Sequence, residues 1–144
     1  MIDVLIVGAG ATGAAVAWSL SSTSLNIMCL EQGDRMEASE YPSTKRNWEI
    51  LREHEYHVSP NVRKLPADYP INDKGSPIAI ANFNAVGGST ILYSGHFPRF
   101  HPSDFRVKSL DGVADDWPIN YRQLEPFFAL NDKMMGVSGL AGDP

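Results

Sequence analysis

The sequence predicts an α/β fold, and three observations carry that expectation. Residues 3–7, Asp-Val-Leu-Ile-Val, are a short β-branched run that stops at a glycine, as a buried parallel strand does. Gly8, Gly10 and Gly13 follow in the spacing G-x-G-x-x-G and lead into Ala-Thr-Gly-Ala-Ala-Val-Ala-Trp-Ser-Leu, a stretch of small residues and good helix formers. A second apolar run, Asn-Ile-Met-Cys-Leu, then ends on Glu31, 18 residues after Gly13. Strand, helix and strand over residues 3–31 make one βαβ unit, the opening of a Rossmann-like domain.

Each residue of that unit has a physical assignment. Gly8 permits the tight turn after the first strand, Gly10 lets a pyrophosphate approach the backbone, and Gly13 lets helix and strand pack closely. Ala11 and Thr12 stand at the helix N-terminus, where unpaired N–H groups and the positive end of the dipole face the phosphates. A carboxylate at Glu31 accepts hydrogen bonds from the hydroxyls of an adenosine ribose and repels a 2′-phosphate. FAD or NAD is therefore favoured over NADP.

After Gly33 the pattern loosens, and an excursion over residues 36–82 separates the βαβ unit (1–35) from a second glycine pair, Gly87-Gly88. A connection of roughly fifty residues argues for an inserted functional segment, which favours FAD over NAD. Within it, Ser43–Tyr56 is expected as a helix with Trp48 and Leu51 on one face, followed by an irregular stretch punctuated by Pro60, Pro66 and Pro70. Ser76–Phe83 is expected as a strand and Ser103–Pro118 as irregular. A last helix is expected from Pro126, with Glu125 extended before it, to a cap at Gly136. Trp117, Leu124, Phe127, Phe128 and Met134 are the expected core of this region. His54 and His57 are expected on a solvated face and His96 and His101 in a polar loop, with Arg99 pairing with Asp104.

Composition narrows the partners. The chain has 144 residues, 12 Lys and Arg against 17 Asp and Glu, and no basic block, so nucleic acid is not an expected partner. Cys29 is the only cysteine, which rules out an intrachain disulfide. No apolar run approaches the roughly 18 residues that span a bilayer, and no basic leader precedes the first strand. The compartment stays open between cytoplasm and periplasm.

Several ordered motifs together resemble one family. Asp-Val-Leu-Ile-Val-Gly-Ala-Gly-Ala-Thr-Gly-Ala-Ala-Val-Ala-Trp-Ser-Leu, Leu-Glu-Gln-Gly-Asp-Arg, Val-Gly-Gly-Ser-Thr-Ile-Leu-Tyr-Ser-Gly-His-Phe-Pro-Arg-Phe-His-Pro-Ser-Asp-Phe, Asp-Trp-Pro-Ile-Asn-Tyr-Arg-Gln-Leu-Glu-Pro-Phe-Phe and Gly-Val-Ser-Gly-Leu-Ala-Gly-Asp-Pro are similar to the N-terminal part of the glucose-methanol-choline oxidoreductases. The likeness is greatest to the flavoprotein subunits of gluconate and related sugar dehydrogenases. It implies FAD as cofactor and an alcohol or sugar as substrate, with hydride passing to flavin N5. It also implies that Gly87, Gly88 and Ser89 lie along the pyrophosphate and flavin, that Ser89 and Thr90 begin a helix facing the cofactor, and that Tyr93 and Ser94 stand at the flavin edge. Relatives that attach flavin covalently use a histidine where this chain has Leu92, so the resemblance implies non-covalent FAD.

The family's catalytic histidine pair belongs to a later part of longer chains, and no residue here matches it, so no catalytic residue is assigned. By this reading residues 83–105 are the flavin-contacting segment and 106–144 a connecting segment with a helix, an incomplete FAD-binding domain truncated before the substrate domain. Two functions remain open: the front of an FAD-dependent alcohol or sugar dehydrogenase or oxidase, inactive alone and passing electrons to a quinone or cytochrome, or a non-catalytic nucleotide-binding module completed by a partner chain.

Overall fold

The computed structural model describes residues 1–140; the end of the expected connecting segment, and of the Gly-Val-Ser-Gly-Leu-Ala-Gly-Asp-Pro motif, lies outside the described residues. The chain divides into two compact units, one spanning Met1–Ser94 and the other beginning at Gly95.

The first unit is built on the expected βαβ. Strand β1 (Val4–Val7), helix α1 (Ala11–Leu20) and strand β2 (Ile27–Leu30) follow in order, and the strands pair in parallel with Val4 opposite Ile27 and Val7 opposite Leu30. Alternation along β1 buries Ile6 toward α1, and Leu5 and Val7 share the other face with Met28 and Leu30. All four of those are exposed, from 42% at Met28 to 81% at Val7, so one face of the strand pair is uncovered among the described residues. Gly13 is where helix meets strand: a Cβ there would fall 2.0 Å from the Gly8 carbonyl oxygen and 3.3 Å from Ile6 Cγ2.

The excursion departs from expectation in two places. The helix expected over 43–56 is confined to α2 (Trp48–Leu51), because a 3₁₀ turn at Pro42–Thr44 precedes it and Asn47, at φ −122° and ψ 43°, breaks the helical path. Beyond Leu51 the chain closes in turns, ending with Tyr56 N–H donating to the Leu51 carbonyl. Helix α3 (Pro60–Arg63) then places Pro60 in its first turn, where the missing N–H costs nothing. Ser76–Phe83 is not a strand: the Ser76 hydroxyl bonds both the N–H and the carbonyl of Ile78, and no neighbouring strand offers a ladder, so β-propensity alone does not make one. Ile6, Phe83 and Ala85 are buried in this unit, as are Pro42 and Pro60.

The second unit is helical. The segment expected to be irregular holds a 3₁₀ turn at Pro102–Arg106 and helix α4 (Val107–Asp111), closed by Gly112 in the left-handed region. Helix α5 (Tyr121–Met135) begins five residues before Pro126 and contains it. The start is fixed by a capping box: the Asn120 side chain accepts from Gln123 N–H at 3.1 Å, and Gln123 Oε1 accepts from Asn120 N–H at 2.9 Å. Pro126 removes one main-chain bond but does not set the boundary.

The inward stripe of α5 is Tyr121, Leu124, Phe128 and Asp132, at helical spacing. Phe127 and Met134, expected in the core, point off that stripe and are exposed, and Trp117 is half-exposed. Phe105 is fully buried instead, with Phe100 and Trp117 at centroid distances of 6.2 and 6.0 Å. Arg99 pairs with Asp132 rather than Asp104, donating from Nε at 2.9 Å and Nη2 at 2.7 Å. Asp104 is already engaged, accepting from His101 N–H.

Glycine positions in the first unit divide by what surrounds them. Gly13→Ala and Gly33→Ala each drive a Cβ to within 2.2 Å of backbone atoms, and are expected to destabilise the fold by about 1–3 kcal/mol through forced main-chain movement. A Cβ at Gly10 meets nothing within 4 Å and its backbone is extended, so Gly10→Ala is expected to leave stability unchanged. Urea unfolding of the three variants checks the contrast; equal midpoints for Gly10→Ala and Gly13→Ala would contradict it.

Candidate functional site

The first glycine loop continues the sheet before it turns. Gly8 N–H donates to the Leu30 carbonyl at 2.7 Å, and Gly8 then takes φ +97°, a conformation open to glycine at little cost. Gly10 is the N-cap of α1, with no side-chain cap and no acidic residue in the first turn. The early N–H groups of the helix, at Ala11, Thr12 and Gly13, therefore face outward with the positive end of the dipole and with open space over Gly10.

Glu31 reaches across to this loop. Its Oε2 accepts from Ala9 N–H at 2.6 Å, and its Oε1 accepts from Gln32 and Gly33 N–H, both at 2.8 Å. The carboxylate thus ties the end of β2 to the glycine loop, a role that reading it only as a ribose ligand did not include. Three bonds leave lone-pair capacity for a further donor. The Gly33 N–H, then the Ala9 N–H, hold the Glu31 carboxyl below the usual carboxylate range; partial burial opposes them and Gln32 N–H adds to them.

The second glycine pair packs on the first loop, main chain to main chain. Val86 N–H donates to the Asp34 carbonyl at 3.1 Å and Gly87 N–H to the Ala9 carbonyl at 2.8 Å, which forms parallel bridges between Asp34 and Ala85 and between Gly10 and Gly87. Gly87 and Gly88 both have positive φ, 98° and 58°, and a Cβ on Gly88 would lie 3.5 Å from the Gly10 Cα. Gly33 is constrained by space rather than by φ, since its Cβ would fall 2.2 Å from the Ala85 nitrogen.

Gly8, Gly10, Ala11, Thr12, Gly13, Glu31, Gly87 and Gly88 are thereby drawn to one end of the strand pair. Ser89 and Thr90 follow in a 3₁₀ turn of four residues, Gly88–Ile91, rather than the helix the resemblance implied. Thr90 Oγ1 donates to the Gly87 carbonyl at 2.6 Å, and Tyr93 and Ser94 are exposed just beyond the turn.

A cleft of about 500 Å³ runs past Gly8, Glu31 and Gly88, with Tyr69 and Asn82–Asn84 also lining it. Sequence reasoning missed these last residues and Gly33. The signal available was the glycine two places after Glu31, and the alternation Asn-Phe-Asn, with the apolar ring turned to the core between two amides.

Comparison with known proteins identifies a family. Residues 3–97 match the family described as DAO, FAD dependent oxidoreductase. The chain is 42% identical to 2-methyl-1,2-propanediol dehydrogenase of Mycolicibacterium austroafricanum, over 99% of this chain and 26% of that protein. It is 28% identical to the fructose dehydrogenase large subunit of Gluconobacter japonicus, over 98% of this chain and 28% of the subunit. It is 26% identical to the gluconate 2-dehydrogenase flavoprotein of Pantoea cypripedii, over 97% of this chain and 26% of the flavoprotein. The chain spans about a quarter of the length of these relatives.

The Glu31 bonds make a pH prediction. Its folded-state value is lowered, so their contribution to stability is present above the unfolded-state value of about 4.3 and disappears as pH falls through the lowered folded value. Carboxyl and amide NMR titration should give Glu31 a midpoint below 4.3, with the Ala9 amide shift following it. A midpoint at or above that value would mean that the N–H groups of Gly33, Ala9 and Gln32 together do not outweigh burial, and an Ala9 amide shift that does not follow the titration would mean that the bond to Ala9 is absent.

Proposed function

This chain belongs to the FAD dependent oxidoreductase family, and from that premise we propose that it supplies the FAD-binding face of a glucose-methanol-choline type enzyme oxidising CH–OH groups of alcohols or sugars. The observation that carries the reading is the joining of the two glycine loops through Gly87 N–H and the Ala9 carbonyl, beside an uncapped helix N-terminus.

In this reading Gly10, where no side chain intrudes, would leave room for the pyrophosphate, and the N–H groups of Ala11 and Thr12 would donate to it. Glu31 accepts from ribose hydroxyls while keeping its bond to Ala9. Gly87 and Gly88 bring main chain without side-chain bulk toward the flavin end, their own N–H groups being bonded to the Ala9 and Ala85 carbonyls, Ser89 follows them, and Thr90 holds their turn through Gly87. Tyr93 and Ser94 stand beside the flavin edge. Leu92 has no nucleophile, so the cofactor is held non-covalently. Bound FAD supplies the two-electron acceptor for alcohol oxidation. This chain's own residues bind it, orient it and place its negative charge.

The relatives' names support the substrate class: one is a diol dehydrogenase, and the others are a fructose dehydrogenase subunit and a gluconate dehydrogenase flavoprotein. A second reading, a nucleotide-binding piece completed by a partner chain, is favoured by the exposed apolar set Leu5, Val7, Met28 and Leu30.

FAD titration followed by flavin fluorescence tests the site. Gly10→Val is expected to abolish binding while leaving the fold intact, because a branched side chain stands where the pyrophosphate must pass. Glu31→Ala is expected to weaken binding by about 1–3 kcal/mol, the worth of hydrogen bonds to a charged group, and also to lower stability by freeing Ala9. Equal affinity of Gly10→Val and the parent chain would sink the assignment.

Turnover of an alcohol or sugar with a dye acceptor is expected to be absent from the 144-residue chain, since a positioned base typically contributes about 10²–10⁴ in rate and none is matched here. Activity surviving in protein free of contaminating enzyme would refute that.

A further inference from the structure

Arg63 and Asp68 form a buried ion pair within the first unit that touches none of the glycine-loop residues. Their side chains are 0% and 4% exposed. Arg63 Nε donates to Asp68 Oδ2 at 2.8 Å and Nη2 to Oδ1, while Nη1 donates to the carbonyls of His57 at 2.7 Å and Asn82 at 2.8 Å. The guanidinium carbon lies 4.6 Å from the centroid of the Phe83 ring. Asp68 Oδ2 also accepts from Leu65 N–H, and the Asn84 side-chain amide donates to the Ala67 carbonyl at 3.2 Å and more weakly to Asp68. Burial raises the Asp68 carboxyl, but the bonds from Arg63 and Leu65 outweigh it and keep the group below its ordinary range.

Taking two charges out of water costs several kcal/mol per ion, and an apolar pair of the same volume is often at least as stabilising. Stability alone is thus a poor account of such a pair, whereas its directional bonds have a definite destination. Every one ends on residue 57, 63–68 or 82–84, and the last group leads within three residues to the Val86 and Gly87 amides that bond Asp34 and Ala9. Asn82–Asn84 also line the cleft beside Glu31. We propose that Arg63 and Asp68 are positioning residues that fix Asn82–Gly87 against the first glycine loop, and so set cofactor affinity without touching the cofactor.

The affinity part rests on the FAD reading above; the positioning part does not, and the test separates them. Amide exchange is measured by NMR on the parent chain, Asp68→Asn, Arg63→Lys, and Asp132→Asn, which breaks the unrelated Arg99 pair. The Gly8 amide, bonded to Leu30, is the internal reference. Asp68→Asn should speed exchange of Val86 and Gly87 by about tenfold relative to Gly8, as local opening does, and Arg63→Lys should give a smaller change of the same pattern. Asp132→Asn should leave the ratio unchanged. FAD affinity should fall in Asp68→Asn by the factor one plus the opening constant that the exchange reads, reaching about tenfold where Val86 and Gly87 are open nine-tenths of the time.

Val86 and Gly87 tracking Gly8 in both variants, whether all amides stay protected or all accelerate together, overturns the proposal, as does complete unfolding of both. Selective acceleration in Arg63→Lys sustains it even where Asp68→Asn does not fold. A parent chain that binds no FAD refutes the functional reading, and the exchange ratio still decides the positioning. FAD affinity unchanged in a variant whose Val86 and Gly87 amides have lost their protection overturns the affinity part alone.

Discussion

A main-chain bridge between Gly10 and Gly87 is the contact that the rest of the first unit is arranged around. The approach is sterically tightest at Gly33, where a Cβ would fall 2.2 Å from the Ala85 nitrogen, whereas a Cβ on Gly10 meets nothing within 4 Å and Gly87 and Gly88 are held to glycine by their positive φ. The donors at these positions are taken up in the packing, Gly87 N–H on the Ala9 carbonyl, Gly88 N–H on the Ala85 carbonyl and Gly33 N–H on Glu31, so the open donors here are those of the α1 N-terminus. An alanine-rich helix with no cap of its own fits the same logic, because its unpaired N–H groups are tolerable where water or an anion reaches them.

Charge in this unit holds backbone. Glu31 gathers three N–H groups from two segments, and Arg63 two carbonyls from two segments. In each case an ionised group collects main-chain partners that have no ladder to join, which is how a segment with so little regular structure keeps a defined path. The second unit works differently: its aromatic rings meet at 6.0–6.4 Å around Phe105, and its ion pair at Arg99 is partly exposed.

What was legible in the sequence follows from range. The βαβ unit could be read because its signals are local: apolar runs, glycine spacing and a terminal acid, all within residues 3–31. Glu31 was found, but its hold on Ala9, 22 positions earlier, was not, because nothing in spacing reveals a side chain folding back on a loop. The excursion was misread where side chains replace ladders: Ser76 turning on Ile78 looks like strand, and Asn47 interrupts what reads as helix. Pro126 was given too much weight against the Asn120–Gln123 pair, a capping signal in plain view. Arg99 was matched with the acid nearest in sequence, yet Asp132, 33 residues on, lies on the α5 stripe that carries Tyr121 and Phe128.

The way the excursion is anchored bears on how its length can vary. Its fixed points are Asn61, which exchanges two hydrogen bonds with Ile71, the Arg63–Asp68 pair, and Asn82–Asn84. Residues 72–79 lie between those points, are exposed throughout, and pass through Gly75 at φ +84°. Extra residues spliced in beside Gly75 would lengthen a closed loop whose entropic cost grows only with the logarithm of its length, about 0.6 kcal/mol per doubling. A reporter peptide or a small folded domain could be carried there with the anchors, and the glycine loops beyond them, left in place.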